Sequence, residues 1–308
     1  MLPGDTYSQP HAADPVLGER TVLDLVRRHG ARCSTVMRVD ETGGEARVYV
    51  LDDHLVLKVQ RPHRQRPRTS LAKEAFFLNQ LAAYPDIVVP HVLGYGRHDT
   101  IEYIVMTQMP GVPALTVELT GVRRTHVLHQ LGRTLRRLHT IPQAPFYGSA
   151  LLPGSRTREE FVAQARANLA QAVQIIAATP DLWQLDMAPA DLASRVLAAL
   201  PACVDLVALH SNPGPVHTFV RPDSLDFVGL IDFGDAYISH PGLDWRWPTH
   251  ADRVALLHGY CEETPVTDEF MAAWRAALML SDMSALATRP ETGPQARERL
   301  RDLLMTRG

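Results

Sequence analysis

The stretch GLIDFGD, residues 229 to 235, ends a short apolar run with an aspartate followed by Phe233 and Gly234. A buried strand that ends there would hold the carboxylate of Asp232 in a fixed place, and Mg²⁺ prefers oxygen ligands. As an isolated match, these residues more often mark a simple turn. With the motifs described next, they predict that Asp232 is a metal ligand in a phosphoryl-transfer site.

The preceding loop, LHSNPGPVH, has the spacing of a kinase catalytic loop. His210, Asn212 and His217 follow the order of H-R-D-x-x-x-x-N, in which the aspartate accepts the proton of the substrate hydroxyl and the asparagine binds metal. Here an asparagine stands at the position of the base, and its amide can orient a hydroxyl but cannot take up a proton. The pattern predicts His210, Asn212 and Asp232 as catalytic residues, with His217 beside Asp232 at the metal.

Further upstream, three features suit the phosphates of a nucleotide. Lys58 lies at the end of the strand-like run HLVLKV, and Glu74 follows early in a predicted helix, where it would hold the lysine extended. Gly43 and Gly44 lie in a hairpin, where backbone N–H groups can approach phosphate oxygens. Taken singly, Lys58 and Glu74 are more typical of solvated charges, and the two glycines are equally typical of an ordinary hairpin turn. The sequence has no P-loop and no Rossmann glycine motif, so we expect a kinase-like nucleotide site.

Two regions of different character must position these residues. Short alternating runs such as STVMRVD, ARVYVLD and HLVLKVQ predict antiparallel hairpins, whereas the chain after MPGVP is mostly helical in pattern. The predicted fold is α+β and two-lobed, like a protein kinase, with a small antiparallel β-rich N-lobe and a larger helical C-lobe. The predicted divisions are a flexible leader at 1–15, an N-lobe at 16–108, a hinge at 109–113 and a C-lobe at 114–308. Ligands favour the cleft between such lobes.

The composition and net charge of the chain limit the kinds of partner that we expect it to bind. The 308 residues are 45% hydrophobic and carry a formal net charge of -3, so no broad basic field favours nucleic acid. The three cysteines, Cys33, Cys203 and Cys261, show no CxxC spacing, which argues against a disulfide framework or a zinc site. We find no signal peptide pattern and no apolar run long enough to span a membrane. We therefore expect a cytoplasmic protein with a small-molecule partner.

Taken together, these motifs resemble the aminoglycoside phosphotransferases, antibiotic kinases with a protein-kinase-like fold. The resemblance rests on GGEARVYV, LVLKV, YIVMTQMPGVP, LGRTLRRLHTI, LHSNPGPVH and GLIDFGDAYISHPGLDW, which follow the family order from about residue 40 to 250. It implies ATP or GTP as phosphate donor and Mg²⁺ as cofactor. It further implies that Lys58 binds the phosphates with Glu74 as partner, that the backbone of Gln108 and Met109 meets the base, and that Asp244 braces the catalytic loop.

Two positions depart from the commonest family pattern, H-G-D-x-x-x-x-N. His217 replaces the second metal-binding residue, as in the subset resembling 2″-phosphotransferases, and imidazole can still ligate a metal. Asn212 replaces the general base, which leaves three functions open. The chain is a slow phosphotransferase acting on a small hydroxyl compound such as an aminoglycoside, a nucleotide- or drug-binding pseudokinase, or a metabolite kinase on the same scaffold.

The acceptor is predicted from the residues after the metal segment. Acidic residues accumulate there and favour a cationic acceptor, with Asp235, Glu262 and Glu263 as the expected contacts; the others are Asp252, Asp268 and Glu269. The alternative is a solvated acidic helix face. Trp245, Trp247 and Trp274 could instead form an apolar platform for a macrolide or another bulky alcohol, although core packing is the more usual role of at least two of them.

Overall fold

A five-stranded antiparallel sheet forms the core of the N-terminal lobe. The structure is a computed structural model that describes residues 7–305 apart from 53, 68, 201–204, 246, 248 and 289–292. The strands are β1 (Val36–Asp40), β2 (Ala46–Leu51), β3 (Leu55–Gln60), β4 (Val92–His98) and β5 (Ile101–Thr107), in the order β1-β2-β3-β5-β4. The alternating patterns thus form the hairpins they predicted. The first six residues of the predicted leader and Cys203 lie outside the described residues.

Two helices cover this sheet. Helix α1 (Glu19–Arg27) buries Val22, Leu25 and Val26 against one face. Helix α2 (Leu71–Leu81) belongs to the main core, and Ser70 caps it by accepting a hydrogen bond from the backbone N–H of Lys73 at 3.3 Å. Because α2 begins at this cap, Glu74 lies in the first turn of the helix, which fixes its position.

The segment from 109 to 113 carries the chain into the C-terminal lobe. Its last residues form β6 (Val112–Pro113), which pairs with β8 (Thr218–Val220). Gly111 has a φ of 88°, and a Cβ there would lie 2.3 Å from the carbonyl oxygen of Val220. Only glycine fits both the backbone angle and the close contact, so the connection is tightly joined to the C-terminal lobe.

The C-terminal lobe is mainly helical, which confirms the predicted kinase-like fold class. Its helices are α3 (Gly121–Thr140), α4 (Ala144–Tyr147), α5 (Arg158–Ala178), α6 (Pro189–Ala199), α7 (His250–Cys261), α8 (Asp268–Thr288) and α9 (Gly293–Met305). Its remaining strands are β7 (Val207–Leu209), β9 (Phe227–Leu230) and β10 (Tyr237–Ser239), with β9 beside β8 and β10 beside β7. These short strands carry the candidate catalytic loop and the GLIDFGD segment. Among the described residues, no helix is both long and apolar enough to cross a membrane.

Helices α3 and α7 approach each other closely at two glycines. A Cβ on Gly132 would lie 2.1 Å from the carbonyl oxygen of Leu256, and a Cβ on Gly259 would lie 1.9 Å from the carbonyl oxygen of His129. These contacts involve backbone atoms, which cannot rotate away as a side chain can. The helix pair therefore depends on glycine at both positions.

We expect Gly132→Ala to lower the free energy of unfolding by about 1–3 kcal/mol, because the added methyl group must push two helices apart. This loss outweighs the gain of about 1 kcal/mol that alanine brings to a helix interior. Urea unfolding followed by circular dichroism measures the change. Gly18→Ala is the control, since no atom lies within 4 Å of the added Cβ. Equal unfolding midpoints for the two variants would contradict the prediction.

Candidate active site

A cavity of about 1640 Å³ lies between the two lobes and collects most of the predicted site residues. From the N-terminal lobe it is lined by the predicted nucleotide residues, which are Gly43, Gly44, Lys58, Glu74, Gln108 and Met109. From the C-terminal lobe it is lined by Asn212, His217, Asp232 and Asp235. Residues that are far apart in sequence therefore face one space.

Lys58 on β3 links the two lobes directly. Its Nζ donates to Oε2 of Glu74 at 2.7 Å and to Oδ1 of Asp232 at 2.8 Å. Burial alone would lower the pKa of Lys58, but the charges of Asp232 and Glu74 outweigh it and raise the pKa above its usual value. The lysine is thus a fixed positive charge at the point where the two lobes meet.

Asp232 follows β9 in an unusual backbone conformation. Its φ is 69°, in the left-handed region where aspartate and asparagine are enriched among non-glycine residues. The next residue, Phe233, is fully buried between the rings of His210 and Phe77, at centroid distances of 4.4 and 4.9 Å. Burial would raise the pKa of Asp232, but Lys58 and His217 lower it well below its usual value. The carboxylate is therefore ionised and held at the cavity wall.

His217 completes a small group of potential metal-binding atoms. Its Nδ1 donates to the carbonyl oxygen of Asn212 at 2.8 Å, and its Nε2 lies 3.2 Å from Oδ2 of Asp232. Burial would lower the pKa of His217, but the contact with Asp232 raises it. The described residues contain no cluster of three or more metal-binding side chains. The carboxylate of Asp232 suits a Mg²⁺ ion whose other ligands are phosphate oxygens and water, whereas the imidazole of His217 is a less usual ligand for this ion than oxygen.

Asn212 and His210 lie on opposite sides of the predicted catalytic loop. Asn212 is exposed and lines the cavity. His210 is fully buried behind the loop, where its Nε2 donates to the carbonyl of Ile231 at 2.9 Å and its Nδ1 accepts from the backbone N–H of Asn212 at 3.3 Å. Burial lowers the pKa of His210 to about 4, so the ring is neutral at pH 7. His210, predicted as catalytic, is placed where it positions the loop.

Comparison with known proteins agrees with this geometry. The model of the phosphotransferase enzyme family, which includes the aminoglycoside phosphotransferases, matches residues 36–278. The chain belongs to this family. It is 29% identical over 245 residues to an aminoglycoside 3'-phosphotransferase of Streptomyces ribosidificus, covering 72% of this chain and 87% of the relative. A Streptomyces fradiae enzyme of the same name is 29% identical over 192 residues, covering 56% of this chain and 67% of that enzyme.

Solved structures share the fold of this chain. A macrolide 2'-phosphotransferase from Brachybacterium faecium superposes with a TM-score of 0.60 at 24% identity, covering 94% of this chain and 99% of that chain. The GDP complex of an aminoglycoside 2'-phosphotransferase gives a TM-score of 0.62 at 16% identity, covering 92% and 97% of the two chains. A ternary complex of a 2″-phosphotransferase with streptomycin and ATP gives 0.57 at 13% identity, covering 95% and 98%. These likenesses support the two-lobed kinase-like fold.

Asp244 braces the predicted catalytic loop. It is completely buried; its Oδ1 accepts from the backbone N–H of Ser211 at 2.6 Å, and its Oδ2 accepts from that of His210 at 2.8 Å. His139 contacts Oδ2 at 3.0 Å. Ser211 has a φ of 82°, a conformation that is costly for serine. The carboxylate therefore holds the loop in a shape that the backbone would not adopt by itself.

We expect Asp244→Asn to lower the free energy of unfolding by about 2–5 kcal/mol, because an amide presents N–H donors to backbone N–H donors in a buried site. Chemical unfolding measures the loss. Asp24→Asn is the control, since Asp24 is half exposed and pairs with Arg27 on the surface of α1, where an ion pair contributes about 0–1 kcal/mol. A loss below 1 kcal/mol for Asp244→Asn would rule out the bracing role.

The walls expected to hold the nucleotide base and phosphates are formed by the sheet and its hairpin. Gln108 and Met109 lie just after β5, and the backbone N–H of Gln108 donates to the carbonyl of His54 at 2.9 Å. A Cβ on Gly44 would meet no atom within 4 Å, so the hairpin leaves open space above the cavity. These residues line the cavity, and their contact with a nucleotide stays a prediction.

Sequence reasoning missed Arg66, which ties the hairpin to the metal segment. Its guanidinium forms an ion pair with Glu45 and donates to Oδ2 of Asp235 at 2.8 Å. Thr69 also donates to Asp235. The basic run HRQRPRT directly after β3 is the only sequence signal for it. Asp235, predicted as a substrate contact, lines the cavity but is engaged by these two residues.

The remaining acidic residues do not gather at the cavity. Glu262 lies 3.0 Å from Arg133, and Glu263 lies 3.9 Å from the same guanidinium; neither lines the cavity. Asp252 is paired with Arg124 at 2.6 Å and caps α7. The structure thus places Glu262 and Glu263 on the surface of the C-terminal lobe and buries Asp252. Only Asp235 of that set borders the cavity.

Proposed function

We propose that the protein transfers the γ-phosphoryl group of ATP or GTP to a hydroxyl group of a small antibiotic-like molecule. The observation that carries this proposal is the pair of hydrogen bonds from Lys58 to Glu74 and Asp232 across the cleft. Membership of the family and similarity to aminoglycoside 3'-phosphotransferases support it. A nucleotide-dependent enzyme with free thiols at Cys33 and Cys261 suits the reducing cytoplasm.

The nucleotide is proposed to enter between the glycine hairpin and the catalytic loop. Lys58 binds its phosphate oxygens, and Glu74 keeps the ammonium group extended toward them. Asp232 and His217 would hold Mg²⁺, which when bound neutralises charge on the phosphates. The protein thereby positions the phosphates and supplies charge at the places where kinases need it.

The acceptor hydroxyl is proposed to meet Asn212 at the cavity wall. The amide oxygen of Asn212 orients the hydroxyl, but the proton must leave to solvent or to phosphate, because an amide is not a base. A positioned base contributes about a hundred- to ten-thousand-fold to rate. The transition state of phosphoryl transfer is loose, so positioning and charge neutralisation supply most of the acceleration. We therefore expect slow turnover.

The direct test is mass-spectrometric detection of a phosphorylated product. Purified protein is incubated with Mg²⁺, ATP or GTP, and a panel of hydroxylated antibiotics that includes aminoglycosides and macrolides. A product heavier by one phosphate group, absent without nucleotide, is the expected result. Failure to detect product both for the natural chain and for Asn212→Asp would overturn the proposal.

Asn212 also favours a second candidate function, a pseudokinase that binds nucleotide without transferring phosphate. A ligand that binds only the folded state raises the melting temperature by mass action. Under this alternative, Mg²⁺ and nucleotide raise the melting temperature while no product forms. Any product formed by the natural chain would eliminate it.

A further inference from the structure

The end of the cavity that lies away from the glycine hairpin is lined by different kinds of residue from the rest. We call it the helical end; its walls come from the turn Pro241–Asp244 and from helices α7, α8 and α9. The apolar residues of these walls include Leu243, Val254, Leu257, Met271, Trp274 and Leu278. Since the predicted nucleotide residues occupy the sheet side, the acceptor must bind at this end.

Trp274 is a rigid part of this wall. A Cβ on Gly242 would lie 2.3 Å from Cδ1 of Trp274, so the indole packs directly on the glycine backbone. Its ring also contacts that of Trp245, with centroids 4.8 Å apart. Trp245 is buried and belongs to the main core, and it supports Trp274 from behind. A preorganised aromatic surface of this kind suits an apolar ligand face.

The charges at the helical end do not suit a polycation. Three arginines line it, Arg253, Arg275 and Arg299, against two aspartates, Asp282 and Asp302. Asp282 accepts two hydrogen bonds from Arg299, at 3.0 and 2.5 Å from Nε and Nη2. An acceptor with several ammonium groups would lose hydration without gaining matching carboxylates, which is unfavourable.

The cavity is also large. The volume of about 1640 Å³ exceeds the roughly 300–1,000 Å³ of ordinary ligand pockets, so a large acceptor fits beside a nucleotide.

We propose that the acceptor is a bulky hydroxyl compound with a large apolar face and at most one positive charge. This inference rests on the proposed function for the identity of the site as an acceptor site. It differs from the polycationic acceptor that the acidic residues of the sequence predict.

The test measures binding, so that its failure is separable from a failure of phosphate transfer. Isothermal titration with nucleotide-saturated protein compares erythromycin, chloramphenicol and rifampicin with kanamycin, neomycin and streptomycin. We expect at least one compound of the first group to bind about tenfold or more tightly than every compound of the second. Tighter binding of any aminoglycoside, or no binding by the first group at 1 mM, would overturn the inference.

Two variants with a matched control locate the binding site. Trp274→Ala and Met271→Ala should each weaken the binding of the apolar compound, the tryptophan change by about tenfold or more. Met279→Ala is the control because Met279 lies on the same helix but packs against a separate core formed with α5 and α6. If Trp274→Ala fails to fold, the comparison of Met271→Ala with Met279→Ala still tests where the compound binds. Equal weakening by both methionine changes would refute the assignment, whether or not phosphate is transferred.

Discussion

Asn212→Asp is expected to raise the rate of phosphoryl transfer by about 100- to 10,000-fold, because it introduces a proton acceptor at the cavity wall. Asn212 is exposed, and its backbone already has the contacts of a catalytic loop, with its N–H on His210 and its carbonyl on His217. Aspartate and asparagine have nearly the same shape, so the new carboxylate takes the place of the amide. Steady-state transfer kinetics with the best acceptor of the panel measure the gain.

Asn212→Ala is the matched control for this gain. Alanine removes the amide without supplying a base, so its rate should equal or fall below that of the natural chain. If alanine accelerates transfer as much as aspartate does, the effect comes from space in the cavity and not from proton transfer. If aspartate gives no gain while nucleotide still binds, Asn212 does not face the acceptor.

Asp232→Asn is expected to reduce transfer by about a thousandfold or more, since it removes a carboxylate that contacts both Lys58 and His217. Asparagine tolerates the left-handed backbone at this position, where φ is 69°, so the fold should survive. The variant is best made on the Asn212→Asp background, where the rate is high enough to measure a large loss. The Mg²⁺-dependent rise in melting temperature with nucleotide should also shrink.

The control for this loss is Asp226→Asn in the loop before β9. Asp226 is exposed and accepts a hydrogen bond from Ser224 at 2.7 Å. Its replacement removes the same charge from the same lobe, outside the cavity. A rate for Asp232→Asn within tenfold of this control would exclude Asp232 as the principal metal ligand.

The sequence by itself predicted those site residues whose role follows from their place in a local element. Lys58 lies in a strand, and Asp232 ends an apolar run. The side chain of such a residue is fixed by the strand period and by the turn that follows. Spacing within one loop likewise related Asn212 to His217, which the structure joins by a hydrogen bond of 2.8 Å. The fold class followed from the same local patterns.

Residues whose partners are distant in sequence were harder to predict. The acidic residues after the metal segment have no period that shows which way they face, and the partner of each is set by another helix. Glu262 meets Arg133 of α3, and Asp252 meets Arg124 of the same helix. His210 has the motif of a catalytic residue, but Phe233 and the carbonyl of Ile231 enclose it. No local pattern predicts such burial.

The amino-acid sequence by itself therefore determined which chemical groups are available to this protein. They are an ammonium, a carboxylate, an imidazole and an amide, which follow the order of the kinase motifs along the chain. Only the tertiary structure decided which of these meet. Lys58 and Asp232 are 174 residues apart, yet their side chains lie within 2.8 Å. The structure also decided that aromatic and apolar side chains line the helical end of the cavity, whereas the predicted contacts Glu262 and Glu263 do not. The physical reason is that a side chain's direction depends on its own helix or strand, whereas its environment depends on how all of them pack.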